Sequence, residues 1–129
     1  MPARLHPLPQ AEADAVFARL DRAADGGEAG AAEAADSDVI RSAVKHLLAL
    51  LVQRYPGTSV EVRVPPYAAV QCIEGARHTR GTPPAVVETD AMTWIALARG
   101  QVDFAVAVHD GRVRASGERS DLSAQLPVV

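Results

Sequence analysis

SVEVRVPPYAAVQCIE, residues 59–74, is the stretch whose reading decides the fold. Val60, Val62 and Val64 alternate with Ser59, Glu61 and Arg63, the period of two that belongs to a strand with one buried and one wet face. Beyond Pro65, Pro66 and Tyr67 the alternation resumes, with Ala68, Val70 and Cys72 on one side and Ala69, Gln71 and Ile73 on the other. Two such strands joined by a short turn pair antiparallel, so residues 59–74 predict a hairpin and, with it, a sheet that needs a cover on its valine face.

Upstream lies the material for that cover. Ile40, Val44, Leu47, Leu48 and Leu51 form an apolar stripe, Ser37 or Asp38 is placed to cap it, and Tyr55-Pro56-Gly57 ends it, which predicts a helix over 38–54. His46 falls at the edge of this stripe and is expected to be solvated. Ala13, Val16, Phe17 and Leu20 recur at helical spacing within 10–24 and predict a further helix. Between the two helices, DGGEAGAAEAADSD offers no side chain large enough to anchor in a core and reads as a mobile linker. The expected organisation is a helix and linker over 1–36 and a domain over 37–129.

Downstream, Ala85-Val-Val-Glu88 reads as a short strand, Asp90 as the N-cap of a helix over 91–99, and Gly100 as its left-handed terminator. Trp94, Leu97 and Ala98 share that helix's inner face. VDFAVAVHDGRVRASG, residues 102–117, alternates in the manner of two strands about a type I′ turn at Asp110-Gly111. The tail predicts a capped short helix over 121–126, stopped by Pro127.

Composition narrows the function classes. A chain of 129 residues is expected to form one domain, and with 48% apolar but only 4% aromatic residues its core must be mainly Val, Leu, Ile and Ala. The net charge of −3 argues against nucleic-acid binding, which requires a concentrated Lys/Arg face. One cysteine permits neither an intrachain disulfide nor a Cys-x-x-Cys metal knuckle. Without an apolar run near 18 residues or a signal-like start, a soluble cytoplasmic protein with no stable membrane insertion is expected.

Three polar features invite chemistry. Cys72 and His78 are six positions apart and could form a thiolate pair, although Cys72 shares a face with Val70 and Ala68, where cysteine acts as a small hydrophobe. His6, His46, His78 and His109 are scattered without ligand spacing, so neither a metal nor a cofactor is expected. In RHTRGTPP, residues 77–84, Arg77, His78 and Arg80 present planar donors beside Gly81, suited either to a carboxylate or phosphate or to pairing with Glu74 or Glu88. No P-loop is formed, because no lysine follows the glycine. Val60, Val62, Val64, Val70, Trp94, Leu97, Phe104, Leu122 and Leu126 serve equally as a packed core or as the walls of an apolar tunnel.

Taken in order, residues 59–100 followed by GRVRASGERSDLSAQL resemble the bacterial branch of the sterol-carrier-protein family, over about 38–129. The most specific pieces are RHTRGTPP and the succession of an Asp-capped helix, a second short helix and GRVRASG. The resemblance implies a helix over 103–109, with Asp103 as its N-cap, against the alternation there. It also implies an α/β (α+β) fold: a mostly antiparallel sheet of about five strands, helices on one face, and a lipid tunnel between the layers. Val62, Val64, Val70, Trp94, Leu97, Phe104, Leu122 and Leu126 would then line that tunnel, with Arg77, His78 and Arg80 at its rim. The implied activity is non-covalent binding or transfer of a fatty acyl or sterol-like lipid, without chemistry of its own. Two rivals stand beside it. Related domains are joined to enzymes such as a thiol-cofactor-dependent maleylpyruvate isomerase, which makes an accessory domain with a partner enzyme the second reading. A free-standing thiol enzyme using Cys72 and His78 is the third.

Overall fold

A computed structural model describes residues 4–25, 37–75, 85–117 and 120–129. In chain order the elements are α1 (Gln10–Asp25), α2 (Ser37–Arg54), β1 (Val60–Val64), β2 (Ala68–Cys72), β3 (Ala85–Thr89), α3 (Ala91–Ala98), α4 (Phe104–His109) and β4 (Val113–Ser116). The fold is α+β.

The hairpin forms as its alternation requires, with Val60 opposite Cys72, Val62 opposite Val70 and Val64 opposite Ala68. Because β2 returns the chain to the Val60 end, β3 starts there too, with Ala85 opposite Val60, and runs parallel to β1. The last strand closes antiparallel on β3, Thr89 facing Val113. The order is β2-β1-β3-β4, a mixed sheet of four strands among the described residues where about five were expected. Val60, Val62, Val64, Cys72, Ala85, Val87 and Val113 supply its buried face. The other face is wet, and its Arg63–Glu61 pair, 3.0 Å apart and partly exposed, contributes little.

The long helix α2 is buried on more than one side. Val44, Leu47, Leu48 and Leu51 are wholly enclosed in the core, while α1 seals a flank with Ala13 and Leu20. That second seal corrects the expectation for His46, which is buried at 6% exposure. Val39, Ala43 and His46 are spaced i, i+4, i+7, and all three are buried, so the histidine continues a stripe rather than bordering one.

Residues 104–109 are helical, and the alternation there misleads. Asp110 is the C-cap of α4 rather than half of a hairpin turn. Gly111 follows with φ 80°, its N–H donating to the Val108 carbonyl and the Arg112 N–H to that of Ala107. This is the paired arrangement that ends a helix at a left-handed glycine. Helix α3 ends the same way at Gly100 and begins with Asp90, whose carboxylate accepts the Thr93 N–H at 3.0 Å. The expected terminal helix over 121–126 is only one turn. Asp121 does cap it, accepting the Ser123 N–H at 2.9 Å, but Pro127 lacks the N–H needed to carry the ladder further.

A cleft at the end of α3 and a loop clamped at Ser59

Three of the expected ligand residues meet in one cleft of about 240 Å³: Leu97 from α3, Phe104 from α4 and Leu126 from the terminal turn. Val102 and Pro127 complete its apolar wall, and Asp103 and Ser123 add polar groups. The wall is pinned by the backbone, since the Val128 N–H donates to the Ala98 carbonyl at 2.9 Å and Val128 is fully buried. Gly100, with φ 75°, lies where an added Cβ would be 3.3 Å from the Pro127 ring, so terminator and wall are fitted to each other. At this size the cleft is smaller than a typical small-molecule pocket of roughly 300–1,000 Å³, and a longer occupant must part the core.

That core contains the other expected lining residues. Val62, Val64, Trp94 and Leu122 are at most 1% exposed and belong to one apolar cluster, with Val70 half-buried against it. The Trp94 indole N–H donates to the Val44 carbonyl at 3.3 Å, tying α3 to α2 across the interior.

Arg77, His78 and Arg80 lie outside the described residues, as does the expected mobile linker over 25–36 apart from Asp25. Both ends of the connection that carries the arginines are nevertheless visible, and both converge on Ser59. The Ser59 N–H and hydroxyl donate to the Ile73 carbonyl, at 3.0 and 2.6 Å, and the Ser59 carbonyl accepts the Ala85 N–H at 3.1 Å. Ile73 is held at φ 67°, a conformation rare for a β-branched residue, and its own N–H donates to the Tyr55 carbonyl at 2.6 Å. Gly57 permits this approach, because a Cβ there would fall 2.2 Å from the Ile73 oxygen. No motif in the sequence announces such a clamp; a serine before a strand and a glycine after a helix are both ordinary.

The remaining candidates give little chemistry. Cys72 is fully buried, and desolvation pushes its thiol up to about 11, so the thiolate is roughly one part in ten thousand at pH 7. His46 faces α1 rather than a site. Among the described residues no three His, Cys, Asp or Glu side chains are grouped to hold a metal ion, and no helix is long and apolar enough to cross a membrane.

Against known proteins, residues 36–128 match a family model described as "Bacterial SCP ortholog". No curated protein matches the chain. The matched region begins just before α2 and includes β1 to β4 and the cleft, while α1 precedes it.

Proposed function

The chain belongs to the bacterial sterol-carrier-protein family, and from that premise we propose that it binds a fatty acyl or sterol-like lipid without covalent chemistry. The family is associated with lipid binding or transfer in general. The observation that carries the specific reading is the cleft at Leu97, Phe104 and Leu126, which lies against the apolar cluster containing Val62, Val64, Trp94 and Leu122. A ligand tail entering there meets mainly apolar walls, and its removal from water contributes about 25 cal/mol per Å² of apolar area. On this reading Arg77, His78 and Arg80 would supply donors for a charged headgroup.

Native mass spectrometry of freshly isolated protein tests this directly, the expected result being a co-purified lipid. Titration with a fatty acid, followed by the fluorescence of Trp94, should saturate, because the indole is buried beside the proposed path. If neither a fatty acid nor a sterol binds at about 100 μM, the carrier reading fails. The accessory-domain reading has its own support in α4, which exposes Val106 and Val108 on a short, largely apolar helix. Recovery of an empty protein in a defined complex with an enzyme would favour it.

A further inference from the structure

The imidazole of His46 is buried between α2 and a segment that lies outside the family match. Its Nδ1 accepts the Leu8 N–H at 2.9 Å across 38 positions of sequence. Phe17 of α1 stands edge-on to the same ring, with centroids 5.8 Å apart and planes at 61°. One turn further along α1, Asp21 receives both arms of the Arg99 guanidinium, at 2.9 and 3.1 Å, and that guanidinium lies 4.8 Å from the centre of the Phe17 ring. Ala13 and Leu20 are buried in the seat, and Val16 and Phe17 are half-buried.

An Nδ1 that accepts a backbone N–H must be unprotonated, because the imidazolium has two donors and no acceptor. Protonation therefore sets two N–H groups against each other where water is scarce. We propose that His46 is a proton-operated latch, and that its protonation releases residues 4–25 as a strap from α2 and Arg99.

The elements packed on α2 carry further charged and titratable groups. The N-terminal segment has the Leu8 amide on Nδ1 and an exposed His6; α1 has Asp21, paired with Arg99 at the end of α3; β2 has Cys72, whose thiol stays neutral; α2 itself has Lys45 next in sequence. Arg99 holds the Asp21 carboxylate below its usual range, so that anion persists through weakly acidic pH. Burial of His46 lowers its pKa from the ordinary 6.5. The seated state thus binds its proton later than the released state, and it loses ground as pH falls below 6.5, by at most about tenfold in population per pH unit for one proton. The loss ends once the buried ring's own lower value is passed. Release would free Arg99, which immediately precedes Gly100 in the cleft wall. The latch does not depend on the identity of any ligand.

Amide hydrogen exchange of the full chain between pH 7.5 and 5.0, corrected for intrinsic exchange, reads the strap directly. Protection over 4–25 should fall toward pH 5, by no more than about tenfold per pH unit below 6.5, while β1 and β3 keep theirs. His46→Asn, which offers an uncharged acceptor near the Nδ1 position, should hold its protection across the range. Arg99→Gln, which loosens the seat without touching the ring, should lower protection at pH 7.5 while keeping the pH dependence, and gives the same reading should His46→Asn not fold. A pH-independent wild type, an equal pH response in His46→Asn, or loss of the response in Arg99→Gln would each overturn the latch.

Discussion

Cys72 and the Ser59 clamp show how much one residue's surroundings decide. From its place on an alternating strand, Cys72 was expected to be a small buried hydrophobe, and the thiol is both enclosed and held protonated. Cys72→Ala should cost on the order of 1 kcal/mol in denaturant unfolding and leave lipid affinity unchanged. Loss of a measured activity with the fold intact would instead make the thiol functional. The clamp was not legible, because it depends on three carbonyls, three amide N–H groups and one hydroxyl meeting in space rather than on a pattern of side chains. Gly57→Ala should destabilise by about 2–4 kcal/mol, since the new Cβ meets the Ile73 carbonyl and φ 148° is itself unfavourable for alanine. A change below about 0.5 kcal/mol in the unfolding midpoint would mean that the Ile73 turn yields freely. On the proposed reading, replacing Arg77 and Arg80 together with alanine should weaken a fatty acid by about 1–3 kcal/mol and leave the corresponding alcohol nearly unaffected. Equal losses for acid and alcohol, measured by Trp94 fluorescence, would assign the arginines to the loop's own structure.

Helices and strands were legible where the residues turned to the core kept a regular period. β1, β2 and α2 follow from that spacing, even though α2 is also covered by α1 on a second side. α4 did not, for a physical reason: only Phe104 and Ala107 are buried, at i and i+3, and the exposed Val106 and Val108 imitate a strand's alternation. The resemblance resolved it where periodicity failed. His46 was misread in the opposite sense, because its stripe is visible only once α1 is given a place to pack. α1 itself lies outside the family match, and it contributes few large side chains to the interior. Deleting residues 1–36 should therefore leave a cooperatively unfolding domain, less stable by about 3 kcal/mol for the uncovered Leu20, Phe17 and Val16 seat. If the truncated chain melts without a cooperative transition, α1 belongs to the core and the boundary at 36 is wrong.

Across the whole molecule, the cleft was legible only in part. Leu97, Phe104 and Leu126 are separated in sequence, and nothing in their spacing says that the terminal turn doubles back to the end of α3. The parallel pairing of β1 and β3 has a consequence for how the chain assembles in time. β1 finds β2 across a three-residue turn, but Val60 must find Ala85 twenty-five positions away, and β4 joins last in the strand order. Closing the longer loop costs entropy before any contact repays it, so the hairpin is the natural nucleus onto which β3 docks. In a chevron experiment, Val62→Ala, central to the hairpin, should act mainly by slowing refolding, whereas Val113→Ala, in the late-joining strand, should act mainly by speeding unfolding. The reverse assignment would place the nucleus around β3 and β4, and would make the middle strand a follower rather than the template.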